Sequence, residues 1–319
     1  VVGVRSNRGR GRLTLALREG FWDKFFFEWC GGRRGLHPFP TRRSAELNRQ
    51  ERFEEIADCV EALRAAGVAS VNLDLMYGLP HQTTRNTLTT LDAVLSLRPE
   101  RLALFGYAHV PWMKAHQQLI DEAALPGPAE RLEQSQAAAE RLKAEGYVQI
   151  GLDHFALPDD SLAKAATHGG LHRNFQGYTT DLAGTLLGLG ASAISTTPGG
   201  FVQNVTQELG WRQAVAEGRL PIARGVAVSD DDRFRADIIE RLMCDFAVDL
   251  AAACQRHGRE LVELEDAIVR LHDFQQDGLA TWDGRTLRVT PRGRMLVRSI
   301  CALFDAYLAP DAQRHAKAI

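Results

Sequence analysis

Two clusters in the middle of the chain hold the residue types most suited to chemistry. Gly151-Leu152-Asp153-His154-Phe155-Ala156 follows a short apolar run, and Leu171-His172-Arg173-Asn174-Phe175-Gln176-Gly177-Tyr178-Thr179-Thr180 comes soon after. Together they place His, Asp, Arg, Asn, Gln and Tyr in one excursion, interleaved with aromatics that a solvated loop would not need. Arg173 and His172 suit a carboxylate-bearing ligand, because a guanidinium pairs with a carboxylate through two parallel hydrogen bonds. Asp153, His154, Asn174 and Tyr178 are the other candidates on this substrate side. Asp74 reads as lying near the end of an apolar strand, just before the Tyr77-Gly78-Leu79-Pro80 turn. It could hold a ribose hydroxyl or an ammonium group, or simply cap a loop. His109, in Tyr107-Ala108-His109-Val110-Pro111, is open to two readings as well, a ligand contact or a hydrogen-bonder at a helix start. The small residues of Gly188-Leu189-Gly190-Ala191-Ser192-Ala193-Ile194-Ser195 would let a ligand or backbone approach closely. No Walker-type loop, Ser/His/Asp order or zinc spacing is present.

These residues need elements to carry them, and the punctuation of the chain supplies the pattern. Phe53, Ile56, Val60 and Leu63 recur at helical spacing and Gly67 follows as a C-cap. Val71–Tyr77 reads as a strand, the stretch with Leu88, Leu91 and Val94 as a helix, and Leu102–Tyr107 as a strand. A helix over 129–145, a strand over Tyr147–Leu152, a glycine-rich strand over Leu186–Ile194 and a helix near 205–217 complete the series. Strands alternating with helices predict parallel βαβ units with right-handed crossovers. About four units are present, whereas a closed (β/α)8 barrel has eight. The fold class expected is therefore α/β, the second half of a barrel over 47–225, with an unpaired strand at each edge.

The flanks differ from this middle. Residues 1–46 carry ten Arg or Lys against four Asp or Glu, with an aromatic clump at Phe21–Trp29 and no sustained period over 18–44. They read as a disordered or artefactual leader, a basic arm for RNA or an acidic partner being the other reading. Residues 226–319 read as a mainly helical, winged-helix-like domain. Ser229-Asp230-Asp231-Asp232 reads as the cap of a long helix holding Phe234, Ile238, Leu242, Met243 and Phe246, and Asp283-Gly284 marks the turn of a wing.

A formal net charge of −2 across 319 residues offers no overall electrostatic case for nucleic acid or anionic lipid. No apolar run approaches the ~18 residues of a membrane span. Cys30, Cys59, Cys244, Cys254 and Cys301 are scattered, as expected of a reducing cytoplasm and not of a disulfide framework.

From Asn48-Arg49 to about residue 308 the sequence resembles the oxygen-independent coproporphyrinogen III oxidases, radical S-adenosylmethionine enzymes of heme biosynthesis. The resemblance rests on Asn72–Pro80, Tyr107-Ala108-His109, Gly151–Ala156, the string His172–Thr180, Gly190–Ser195 and Gln203-Asn204. It implies that a [4Fe-4S] cluster cleaves S-adenosylmethionine and that the resulting radical starts the loss of CO2 from two propionates of coproporphyrinogen III. The product implied is protoporphyrinogen IX, and the electron donor a flavodoxin or ferredoxin. By position, the resemblance implies that Arg49, Asp74, Ala108 and Ile194 contact S-adenosylmethionine, and that the complete enzyme is a monomer. The family's three cluster cysteines, spaced Cys-x3-Cys-x2-Cys, have no counterpart here. The expectation is that the chain as written is inactive. The alternative is a non-catalytic heme- or porphyrin-binding relative.

Overall fold

The computed structural model of the protein describes residues 52–112, 115–175 and 177–308. The leader over 1–46, Cys30 and the expected cofactor contact Arg49 lie outside the described residues. Helix α1 (Phe53–Ala65) buries Val60 and Leu63, and Gly67 follows it with φ +85°, the left-handed position a C-terminal glycine fills. Strand β1 (Asn72–Tyr77), helix α2 (Thr84–Ser96) and strand β2 (Arg101–Gly106) form one parallel unit, Leu73 lying opposite Leu102 and Leu75 opposite Leu104. Thr83 caps α2, its side chain accepting from the Asn86 amide at 3.3 Å.

Alternation along the strands decides which side faces the helices. Leu73, Leu102 and Leu104 pack with Leu91 of α2 and with Ala138 and Leu142 of α3 (Pro128–Ala144), each fully buried leucine contributing about 1.5–3 kcal/mol. Asp74, Met76, Ala103 and Phe105 therefore line the opposite face.

Beyond α3 the chain departs from the expected parallel series. The run read as one strand over 147–152 is β3 (Val148–Ile150), which reverses through Gly151-Leu152-Asp153 into β4 (His154–Ala156). Strand β4 runs antiparallel to β2, so the sheet has the order β1-β2-β4-β3 and only its first pair is parallel. The reversal depends on Gly151, whose φ is +56° and whose missing Cβ leaves room for the ring of Tyr178. Helix α4 (Ser161–His168) follows, capped by Asp160, and then the hairpin of β5 (His172–Asn174) and β6 (Gly177–Thr179).

The expected glycine-rich strand over 186–194 is also different. Leu186 makes an isolated bridge to Thr196, Gly190 and Ser192 have positive φ, and Leu187 and Leu189 are exposed. The regular strand, β7 (Ile194–Thr197), begins where the expected one ended. With β8 (Gly200–Asn204) and β9 (Ile222–Ala227) it forms an antiparallel sheet, and α5 (Glu208–Ala216) lies between the last two.

The C-terminal part has its own core. Helix α6 (Asp230–Asp245) starts on Ser229, whose hydroxyl accepts from the Asp232 amide at 3.1 Å while its own amide donates to the Asp232 carboxylate at 2.8 Å. Phe234, Ile238 and Leu242 pack with residues of β10 (Ala247–Asp249), α7 (Leu250–His257), α8 (Glu265–Gln276), β12 (Thr286–Val289) and α9 (Val297–Cys301). Strand β11 (Ala280–Trp282) pairs antiparallel with β12 across Asp283-Gly284, the wing turn expected from the sequence, with the Asp283 carboxylate accepting from the Arg285 and Thr286 amides. Among the described residues no helix is long and apolar enough to cross a membrane.

Candidate functional site

Asp74 lies at the third residue of β1, inside the strand and not at its end. It is exposed on the face opposite α2 and α3, and its carboxylate accepts from the Asn72 side-chain Nδ2 at 2.7 Å. An exposed carboxylate with one neutral partner retains acceptor capacity for a hydroxyl or an ammonium group.

The turn after β2 is held from several sides. Gln117 accepts from the Val110 amide at 2.6 Å and donates to the Ala108 carbonyl at 3.0 Å. His109 lies 3.4 Å from the Tyr107 hydroxyl and 3.2 Å from Glu122. Arg131, from the first turns of α3, donates to the Tyr107 carbonyl at 2.9 Å. To get there its guanidinium crosses both strand ends: a Cβ on Gly78 would lie 3.1 Å from its Nε, and one on Gly106 would lie 3.0 Å from its Nη2. Gln134, one turn on, accepts from the Gly78 amide and donates to the Gln82 carbonyl. The outcome is an Ala108 that stays exposed on a backbone with little freedom. Ile194 opens β7, in a different sheet from Asp74, and is half-buried.

The 153–178 excursion folds into one network. Asp153, 8% exposed, sits 2.8 Å from His154 Nδ1 through one oxygen and 3.2 Å from Arg298 through the other. Burial alone would raise the Asp153 carboxyl. The hydrogen bond from His154 and the charges of His154, Arg298 and Arg173 outweigh it and hold the group below its ordinary value. Tyr178, 2% exposed, accepts from the Leu152 amide at 3.1 Å and donates to the Met243 carbonyl at 3.0 Å. Burial raises its hydroxyl pKa. The Arg173 guanidinium stacks 4.5 Å above the Tyr178 ring, and its Nη1 is buried with no hydrogen-bond partner. His172 Nδ1 lies 3.3 Å from Glu240, which also accepts from the Arg173 amide. Asn174 ends β5, and the neighbouring Phe175 is exposed, edge-on to Phe201 of β8 at 5.2 Å.

Asp153, His154, Arg173 and Tyr178 are thus brought together, His172 flanks them through Glu240, and Asp74 and His109 stand apart on β1 and the β2 turn. Sequence reasoning missed Arg131, Gln117, Glu240 and Arg298. The first two lie in ordinary polar surroundings. Arg298 is 145 residues from Asp153 and carries no local signal.

Cys59, Cys244, Cys254 and Cys301 lie on α1, α6, α7 and α9. Burial pushes Cys244 and Cys301 up to about 12 and raises Cys59 and Cys254, so all four are thiols at neutral pH. Among the described residues no group of three or more His, Cys, Asp or Glu could hold a metal ion. A [4Fe-4S] cluster, which requires thiolate ligands, does not fit them.

A cavity of about 1110 Å³ runs from Tyr107 and Ala108 along α3 to α9, lined by Arg131, Lys143, Asp153 and Arg298 among others.

Residues 228–296 match the family model of the HemN C-terminal domain. The chain is 48% identical over 285 residues to the oxygen-independent coproporphyrinogen III oxidase of Bradyrhizobium diazoefficiens, covering 89% of this chain and 63% of that protein. It is 44% identical over 280 residues to an anaerobic coproporphyrinogen III oxidase of Cereibacter sphaeroides, covering 88% and 62%. Among solved structures it is similar to the Escherichia coli coproporphyrinogen III oxidase, described as a radical SAM enzyme, with 38% identity, a TM-score of 0.79, and coverage of 91% of this chain and 68% of that one. The chain therefore spans a little under two thirds of the length of these curated relatives.

Proposed function

Because this chain belongs to the oxygen-independent coproporphyrinogen III oxidase family, we propose that it forms the cofactor- and substrate-facing back part of such an enzyme. Residues 47–225 are the barrel portion and 226–319 the helical, winged-helix-like domain. The complete enzyme converts two propionates of coproporphyrinogen III to vinyl groups with loss of CO2, giving protoporphyrinogen IX for heme, and works in the cytoplasm as a monomer. A flavodoxin- or ferredoxin-type protein supplies its electrons. The observation that carries the reading is likeness in both sequence and shape across most of the chain, 38% identity at a TM-score of 0.79.

The residues of this chain have definite parts in that reading. S-adenosylmethionine, when bound, supplies the hydrogen-abstracting radical. Asp74 accepts from its ribose or amino group, while Ala108 and Ile194 pack against it, Ala108 on a turn fixed by Gln117 and Arg131. Arg49 is a fourth contact, outside the described residues. On the substrate side, Arg173, with its unpartnered Nη1, and His172 bear cationic or donor groups suited to carboxylates, and Asn174 and Tyr178 stand beside them. The described residues do not hold the cluster, so no chemical step is assigned to them, and this chain on its own is expected to bind and not to turn over.

The experiment uses coproporphyrin III, the stable oxidised form of the substrate, titrated into the full chain and followed by its absorbance band. Saturable binding tighter than that of a dicarboxylate porphyrin is expected. Absence of binding would remove the substrate-side reading. A fusion of this chain behind the front portion of the Bradyrhizobium diazoefficiens relative should regain turnover.

A further inference from the structure

Three parts of the molecule meet at the ring of His154. Phe105 of the sheet lies edge-on to it at 5.7 Å. Tyr178 of the β5–β6 hairpin lies edge-on at 5.1 Å, and a Cβ on Gly177 would come within 3.1 Å of Nε2. The C-terminal part reaches it through Arg298, which holds the Asp153 carboxylate that holds Nδ1. In the neutral ring this bond keeps the proton on Nδ1, and Nε2 has no hydrogen-bond partner among the described residues. The charged groups around the couple are Arg298 and Arg173, with the Tyr178 hydroxyl next to them.

A leucine could fill the same gap between aromatic rings. Burying Asp153 for a purely space-filling role would be costly, since an ionised carboxylate is tolerated inside only when fully partnered. The Asp153–His154 bond instead fixes the angle of the imidazole, and the imidazole forms the floor beneath the turn between β5 and β6. Gly177, with φ +114°, lets the turn rest directly on that floor.

We propose that His154 is a positioning residue for the turn between β5 and β6, held in place by Asp153 and Arg298, so that the C-terminal domain sets the geometry at which carboxylate side chains of a tetrapyrrole are received. This rests on the substrate-side reading of the 153–178 excursion.

The test uses the full chain and compares H154L, H154N and R298Q with the parent by hydrogen–deuterium exchange, melting temperature and coproporphyrin III affinity. Asparagine can present an amide N–H close to the position of Nδ1, while leucine keeps only the bulk. With H154L, the amides of 172–179 should exchange about tenfold faster and coproporphyrin III should bind about tenfold more weakly, the equivalent of one charge-assisted hydrogen bond. H154N should recover most of both. R298Q, altered at a half-exposed side chain, should shift both in the same direction by less. The proposal is overturned if H154L leaves hairpin exchange at the parent rate, if exchange rises equally throughout the chain, or if asparagine performs no better than leucine. A hairpin that loosens as expected in a chain that never binds coproporphyrin III would uphold the positioning role and reject the substrate-side reading.

Discussion

The ring of Tyr178 occupies the space that a side chain at residue 151 would need: a Cβ on Gly151 would lie 2.0 Å from Tyr178 Cζ. The hydroxyl goes on to bridge the Leu152 amide and the Met243 carbonyl. One aromatic residue therefore ties the reversal between β3 and β4 to the hairpin and to α6.

Gly151→Ala should destabilise the chain by about 3 kcal/mol, combining a clash with a rigid ring and the strain of a positive φ. Tyr178→Phe relieves no clash and loses two hydrogen bonds, at about 2 kcal/mol. Urea melts of the two variants check both. A parent-like midpoint for Gly151→Ala would mean that the ring and the turn move apart easily.

Asp153 gives the chain an acid limit. Its folded carboxyl lies below the ordinary value of 3.8, so its stabilisation is fully present above that value and is lost as pH falls through the folded one. Melting temperatures of parent and Asp153→Asn should therefore differ at neutral pH and converge below about pH 4. A constant difference down to the acid limit would contradict the depressed value.

Cys244 and Cys301 should resist alkylation at mildly alkaline pH while the chain is folded, because burial holds both thiols protonated up to about 12. Labelling with iodoacetamide and mapping by mass spectrometry should find them modified only after denaturation. Rapid labelling in the native chain would show that α6 and α9 open readily.

Ser229→Ala should lower stability by about 1 kcal/mol through loss of the cap of α6, read as a shift in the thermal midpoint. Iron and sulfide reconstitution of this chain should leave no stable visible absorbance of a cluster, since the four described thiols belong to no group of three or more side chains that could hold a metal ion. A stable cluster would require ligands from outside the described residues.

Wherever local chemistry sets the structure, the sequence was readable. Ser229 begins a helix because its side chain answers the amide three residues on, and Asp283-Gly284 turns because one carboxylate accepts two nearby amides. The parallel pair β1–β2 follows from period and punctuation. The reversal at Gly151 was hidden because Val148–Ile150 and His154–Ala156 read as apolar in either direction, and what decides between them is a tyrosine 27 residues on. The loop with Leu187 and Leu189 looked like a strand because its composition is apolar, yet both leucines are exposed. In the candidate site, Asp153, His154, Arg173 and Tyr178 were visible by residue type. Their meeting with Arg298 and Met243 was not, because tertiary packing between distant segments creates it.

The guanidinium of Arg131, laid across Gly78 and Gly106, also constrains how such a chain can diverge. A methyl at either glycine meets the guanidinium before it meets anything else of α3, and withdrawing the guanidinium leaves the Tyr107 carbonyl without its donor. The three positions are therefore not free to drift one at a time. Shortening residue 131 first removes one obstacle only, since Gly78 keeps its φ of +79° and a side chain at 106 still meets the Tyr77 ring, whereas altering a glycine first must pass through a crowded intermediate.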